Sequence, residues 1–242
     1  MEGEILVDAQ DSIAVLTFSR PDKLNAVTRP MLDSFSEKVS LLINDPDIIG
    51  LIITGEGDKA FTAGFDLDMM NSLEGDEPTE FFKHLEKIMY VLSGSRNCVT
   101  LAAVNGYAVG FGAMVASACD FRFFSENGVF RLIEIDLGIF PGSGAASNLI
   151  RLVGPSRAKE LLMTARSVTA HEASKIGLAD RVYPQGELME RSLEFMKELA
   201  QKDRKLLTRV KNLVDAMTGQ DMESATDLEA VYTDEWLREF RR

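Results

Sequence analysis

The sequence predicts an α/β fold that gives way to helices alone toward its C-terminus. Three observations carry this expectation. Short continuous apolar runs, "IIGLIITG" at 48–55, "VTLAAV" at 99–104 and "CDFRFFS" at 119–125, read as strands buried on both faces. Segments with helical spacing lie between them, so strand and helix alternate at distances suited to parallel crossover units. Beyond residue 143 strand patterns nearly vanish, and helical segments follow at 144–152, 155–165, 170–176, 187–201, 203–217 and 222–240.

Taken in order, "EILVDAQDSIAVLTFS" reads as two short strands around a polar turn at 9–12. "RPDKLNAV" is a turn, because proline fixes φ while Asp and Asn favour local side-chain bonds. Thr28 is placed to cap the next helix and Pro30 is tolerated in its first turn. Met31, Phe35, Val39 and Leu42 then share a face. "EGDKAFTAGFDLDMM" is a turn leading into a short helix, and 71–78, "NSLEGDEP", is polar and breaker-rich, the pattern of a mobile loop. Residues 79–93 form an amphipathic helix that groups Phe82, Leu85, Ile88 and Leu92.

The chain has 242 residues, 45% of them hydrophobic and 26% charged, enough for one large domain, or one domain with a helical appendage, and a sizeable core. Its formal charge of −12 argues against nucleic acid and against an anionic membrane surface as partners. No apolar run approaches the ~20 residues of a membrane span, and the N-terminus lacks the pattern of a signal or transit peptide. A cytoplasmic location is expected. Cys98 and Cys119 lack CxxC spacing and read as two buried thiols. His84 and His171 read as surface residues, with no metal-ligand cluster around either.

"PGSGAAS" lacks the full dinucleotide fingerprint, and neither a nucleophile elbow nor a Walker motif occurs. What remains is geometric. Two buried strands each lead to a glycine-containing turn that enters a helix, "GDKAFTAGFDL" and "NGYAVGFGAMV". Each turn offers backbone N–H groups at a helix N-terminus, where donors are unpaired. Two such turns face to face would hold a developing oxyanion; alternatively they are ordinary strand-to-helix turns.

At these residues the chain resembles the crotonase superfamily, the enoyl-CoA hydratase/isomerase family. The matching blocks are "SRPDKLNAV", "LIITGEGDKAFTAGFDL", "AAVNGYAVGFGAMVASACDFRF", "IEIDLGIFPGSG" and "AKELLMTARSVTAHEASKIGLADRVYP", in order over about residues 4–184. The resemblance implies a crotonase-like spiral of repeated ββα units at 1–186 that holds the acyl-CoA site. A helical region at 187–242 would then contribute to the interface of a homotrimer or homohexamer. It implies an acyl-CoA thioester as substrate, with CoA part of the substrate and no separate cofactor or metal.

By motif, the oxyanion donors are the N–H groups of Phe65 and Phe111. Many relatives have glycine at the Phe111 position, so its side chain is expected to shape the acyl pocket. The family's hydratases carry two glutamates, and here one position holds Met114 and the other Glu134. A thioether neither holds nor deprotonates water. A single base suffices for double-bond migration, so the resemblance favours Δ3-Δ2-enoyl-CoA isomerisation with Glu134 as proton shuttle, and enoyl-CoA hydration is the alternative. A non-catalytic CoA-binding or interaction protein is the alternative of another class.

For Glu134 the competing reading is a structural carboxylate paired with Arg131. Asp136 is a weaker candidate for a second acid, and Asp66 and Asp68 read as capping or structural residues. The Gly142 N–H matches a water-holding donor, next to Pro141. CoA contacts are implied at Lys23, Leu24, Ala63 and Gly110. Lys23 and Lys59 are phosphate partners or, equally, solvated turn lysines. Met69, Met70 and Phe82 line the acyl channel or belong to the core.

Overall fold

The computed structural model describes residues 3–240. Its strands are β1 (Glu4–Gln10), β2 (Ile13–Ser19), β3 (Gly50–Gly55), β4 (Ala60–Thr62), β5 (Val99–Val104), β6 (Tyr107–Val109), β7 (Phe121–Ser125), β8 (Val129–Arg131), β9 (Val168–Thr169) and β10 (Arg181–Tyr183). Its helices are α1 (Arg29–Asn44), α2 (Leu67–Asn71), α3 (Glu77–Ser93), α4 (Phe111–Ala118), α5 (Ala145–Thr164), α6 (Ala170–Lys175), α7 (Leu188–Ala200), α8 (Arg204–Met217) and α9 (Met222–Phe240). A six-stranded sheet runs β1-β2-β3-β5-β7-β10, antiparallel only at the β1–β2 hairpin. A four-stranded sheet runs β4-β6-β8-β9, parallel except between β8 and β9.

Three strands of the large sheet are each followed by a short one in the second sheet and then by a helix: β3, β4 and α2; β5, β6 and α4; β7, β8 and α5. This is the ββα repeat that the family resemblance implies. Residue patterning alone misses β4, β6 and β8, because three residues are too few to display alternation.

The continuous apolar runs have a direct cause. Leu51, Ile53, Ala102 and Phe124 face one core, whereas Ile52, Leu101, Ala103 and Phe123 face another. Strand side chains alternate between faces, and both faces are dry. The second core is closed by Leu188 and Met196 of α7, so the helix that follows residue 186 completes the far face of the sheet.

Several boundaries differ from the sequence reading. The hairpin turn is only Asp11 and Ser12, with Asp11 at φ 56°, a left-handed conformation Asp tolerates. Thr28 caps α1 through Met31 N–H, and the buried face takes Ile43, with Leu42 only half-buried. The segment read as a loop at 71–78 is shorter: Asn71 ends α2, Glu77 and Pro78 begin α3, and Leu73 between them packs on the core. In α3 the buried face is led by Phe81, and Phe82 is half-buried. The expected break between helices at 152 and 155 appears as a kink at Gly154, with φ 76° and ψ 168°. Cys98 and Cys119 are buried free thiols, and desolvation pushes each up to about 12.

The glycines and asparagines of the motif blocks serve close backbone approach. A Cβ at Gly106 would lie 2.1 Å from the Lys59 carbonyl oxygen, and one at Gly112 would lie 2.6 Å from that of Thr62. Asn105 Nδ2 donates to the carbonyls of Gly55 and Gly57 at 2.9 and 2.8 Å. Asn25 Nδ2 donates to that of Ala60 at 2.8 Å. The Asn105 bonds tie the β3–β4 turn to the β5–β6 turn, and the Asn25 bond ties β4 to the β2–α1 turn.

Replacing Gly106 by Ala is therefore expected to destabilise the protein by about 1–3 kcal/mol, through enforced backbone displacement. Gly186→Ala, where an added Cβ meets nothing within 4 Å, is expected to be near neutral. Urea unfolding of both variants checks this, and equal midpoints would contradict it.

Candidate active site

A cavity of about 700 Å³ opens between the two glycine-containing turns, α3, α4 and the segment after β8. Its wall includes Phe65, Gly110, Phe111, Met114, Glu134 and Gly142 from the residues singled out in the sequence, with Lys23 and Ala63 toward the β2–α1 turn. Met70, Phe82, Leu85, Ile133 and Ile139 supply apolar surface.

Phe65 is held by a single parallel bridge to Val27. Val27 N–H donates to the Gly64 carbonyl at 2.8 Å, and Asp66 N–H donates to the Val27 carbonyl at 2.9 Å. Because N–H directions alternate along extended chain, the Phe65 N–H points away from Val27. It has no acceptor among the described residues. Phe111 is the first residue of α4, where an N–H has no intrahelical partner, and its N–H also lacks an acceptor among the described residues. Gly110 reaches this position with φ 51° and ψ −113°, a backbone conformation only glycine adopts readily. The turns abut closely: a Cβ at Gly64 would stand 2.9 Å from the Val109 carbonyl oxygen and 3.7 Å from Phe111 N.

The Phe111 ring does not shape the cavity in the way expected from the sequence. It is 1% exposed and stacks on Phe65 with ring centroids 4.7 Å apart. Its edges meet Phe35 at 5.6 Å and Phe18 at 6.1 Å. The bulk that replaces glycine is thus absorbed by an aromatic cluster, and that cluster fixes both turns.

Glu134 begins a short 3-10 helix, Glu134–Leu137, whose carbonyl at Glu134 accepts from Ile139 N–H at 2.8 Å. The side chain sits beside Ile133, Leu137 and Ile139 in the wall. Desolvation raises its pKa above the ordinary 4.5, opposed only by its own backbone N–H. The pairing with Arg131 does not form. Arg131 donates instead to Asp136 at 2.7 Å and to the Ala165 carbonyl at 2.6 Å. The same ion pair removes Asp136 as a second acid, since it is half-exposed and outside the cavity wall.

Two other carboxylates touch the wall. Asp66 caps α2 and binds Arg20 Nη1 at 2.6 Å, which lowers its pKa. Asp68 is exposed in the first turn of α2. Glu134 is the desolvated one. Met114 stands in the wall at 5% exposure, where it brings no charge. The Gly142 N–H is not open to a ligand in this conformation, because it donates to the Phe140 carbonyl at 2.8 Å in a three-residue turn.

Leu24, Met69 and Pro141, expected in the binding surface, lie outside the cavity wall. Leu24 is in the left-handed region at φ 52°, and its carbonyl is taken by Ala63 N–H at 3.0 Å. Met69 packs on the core; a helix rotates 100° per residue, and it is Met70 that reaches the cavity. Pro141 is half-buried between Phe140 and Gly142. Lys59 is outside the wall too, its carbonyl occupied by Tyr107 N–H. His84 bonds Ser36 Oγ at 3.1 Å, away from the cavity, and His171 is exposed. Among the described residues no cluster of His, Cys, Asp or Glu could hold a metal ion. Sequence reasoning missed Phe140 and Leu85 as wall residues. Nothing in a lone apolar residue distinguishes a cavity wall from a core.

A family sequence model described as enoyl-CoA hydratase/isomerase matches residues 8–238. Crotonyl-CoA hydratase of Syntrophomonas wolfei is 40% identical over 185 residues, 76% of this chain and 71% of that protein. Short-chain-enoyl-CoA hydratase of Clostridium acetobutylicum is 35% identical over 197 residues, 81% of this chain and 75% of that protein. Among solved structures, enoyl-CoA hydratase from Bacillus anthracis superposes with a TM-score of 0.90 at 28% identity, covering 96% of this chain and 90% of the other. A Thermobifida fusca YX structure in complex with CoA gives 0.88 at 27% identity, covering 98% and 94%.

The raised pKa of Glu134 has a stability consequence. The folded carboxyl holds its proton to higher pH than the unfolded one, so this contribution to stability is complete below about 4.5 and is lost as pH rises through the raised value. Glu134→Gln, which mimics the protonated form, is expected to melt above the wild type near neutral pH and to lose that advantage in acid. Thermal unfolding across the acid-to-neutral range checks this; parallel curves would contradict it.

Proposed function

This chain belongs to the enoyl-CoA hydratase/isomerase family, and from that premise we propose that it moves a double bond in an acyl-CoA thioester, with Glu134 as the proton shuttle. One observation carries the reading: a single desolvated carboxylate without a cation faces a cavity that holds two unpaired backbone N–H groups. The thioester carbonyl of a 3-enoyl-CoA accepts hydrogen bonds from Phe65 and Phe111 N–H. Glu134, ionised, removes a proton from C2, and the electrons move onto the carbonyl oxygen. The dienolate is stabilised by donors already in place, which costs no reorganisation when charge develops. Glu134 then returns the proton to C4, the electrons flow back, and the double bond lies between C2 and C3. Atoms and charge balance without a second acid. Burial brings the carboxyl's pKa closer to neutrality, which suits a group that must both take and give a proton.

Hydration is the second reading, favoured by the names of the relatives, several of which are enoyl-CoA hydratases. Against it stand Met114, which cannot activate water, and the Gly142 N–H, which is bonded to Phe140. The family's CoA thioester fits the mouth: Lys23 offers a cation, and the backbone around Ala63 lies beside it. The division into a catalytic core at 1–186 and a helical region at 187–242, and assembly as a trimer or hexamer, stay part of this proposal. The apolar row Leu206, Val210 and Val214 along α8, each at least 44% exposed, is the surface such an assembly would cover.

The test is a paired assay with purified protein. A 3-enoyl-CoA is expected to isomerise, a 2-trans-enoyl-CoA to hydrate slowly or not at all, and Glu134→Ala to lower isomerisation by about 10²–10⁴-fold. Fast hydration of the 2-enoyl substrate would overturn the isomerase reading. Silence with both substrates would favour a binding protein, and a thermal shift with acyl-CoA would then be the next measurement.

A further inference from the structure

Arg20 sits behind the cavity rather than in its wall, and its side chain is 15% exposed. Its Nη1 donates to Asp66 Oδ2 at 2.6 Å and to the Ala26 carbonyl at 3.3 Å. Its Nε is fully buried and has no partner among the described residues. An unmade hydrogen bond at a buried Nε is costly, and it calls for an explanation other than stability. What Arg20 holds supplies one. Asp66 is the residue after Phe65, and Ala26 is the residue before Val27, the bridge partner of Phe65. One guanidinium therefore spans the two chain segments whose pairing aims the Phe65 N–H. The other oxygen of Asp66 accepts from Asp68 and Met69 N–H at 3.1 and 3.2 Å, which couples the same carboxylate to the start of α2.

We infer that the Arg20–Asp66 ion pair is a positioning device that aligns the Phe65 N–H with the thioester carbonyl, acting through Asp66 and never touching the substrate itself. The inference rests on the proposed role of Phe65. Val27 N–H holds the Gly64–Phe65 peptide, which carries the donor, through the Gly64 carbonyl, and Arg20 restrains the other side of Phe65 by gripping the Asp66 side chain and the Ala26 carbonyl together. An oxyanion donor displaced by a fraction of a hydrogen-bond length loses most of its effect on the transition state while ground-state binding barely changes.

The experiment is a double-mutant cycle with Arg20→Gln, Asp66→Asn and the pair, plus Arg20→Lys. Asn retains the cap acceptor for α2, so Asp66→Asn removes the ion pair while leaving the helix start intact. Each single variant is expected to lower kcat about 10- to 100-fold with KM within about twofold, and the double variant to fall no further than the worse single. Arg20→Lys, which keeps the charge, is expected to recover part of the loss. A second readout needs no turnover. The carbonyl stretch of bound 13C-labelled butyryl-CoA should shift to lower frequency in the wild type and move back toward the free value in the variants.

Variants that melt earlier yet keep wild-type kcat and carbonyl shift would reduce the pair to a structural role and overturn the inference, with the proposed function untouched. A rise in KM alone would overturn it too, because the pair would then serve binding. A wild type that neither turns over enoyl-CoA nor shifts the carbonyl would overturn the proposed function and this inference with it.

Discussion

Two strand-to-helix turns are pressed together until backbone meets backbone, and the site follows from that contact. Side chains cannot fit where Gly106 passes Lys59, where Gly112 passes Thr62, or where Gly64 passes Val109. The asparagines at 25 and 105 replace hydrophobic packing with directional bonds to carbonyls of the β3–β4 turn. Such bonds fix position to a few tenths of an ångström, which apolar contact does not. The result is a pair of N–H donors left unpaired by construction. One is freed by the start of α4 and the other by the outward side of a single bridge.

Around this polar seam the protein is aromatic. The rings of Phe18, Phe35, Phe65, Phe81 and Phe111 contact one another edge-on or stacked, directly behind the donors. They exclude water from the far side of the turns, and water would compete for the same N–H groups. The apolar environment that strengthens those donors also burdens Glu134, whose charge loses hydration without gaining a cation. Arg131 would have cancelled that effect, and its diversion to Asp136 and Ala165 leaves the carboxylate without a cation.

Charge at the rim is arranged differently. Asp66 is lowered by Arg20 and consumed in capping α2, so it holds geometry instead of protons. Neighbouring carboxylates in one cavity thus have separate duties, decided by whether a cation or a hydrocarbon stands beside each. The sequence reading of Asp66 as a capping residue matches the structure, whereas whether Arg131 pairs with Glu134 was open until its bond to Asp136 was seen.

The long strands were legible in the sequence because both faces are dry: Ile52 and Ile53 point to opposite cores and are both apolar. So were α7 and α8, whose apolar spacing is a local property of one helix, and the kink at Gly154, where Pro155 follows glycine. The motif blocks pointed to Phe65, Phe111 and Glu134 through the family resemblance, and the fold brings all three to one cavity. The strands β4, β6 and β8 were not legible by pattern, being three residues each. Nor were the direction of the Phe111 ring, the partner of Arg131, the occupied N–H of Gly142, or the exclusion of Leu24, Met69 and Pro141 from the wall. The Phe111 ring and the cavity wall depend on what a group meets across the fold, and the Gly142 and Arg131 bonds on a local backbone course that residue pattern does not display. The sequence by itself determined which residues could carry the chemistry. The tertiary structure alone decided which of them have partners, because a hydrogen bond, an ion pair or a desolvated charge is a relation between segments that the linear order leaves free.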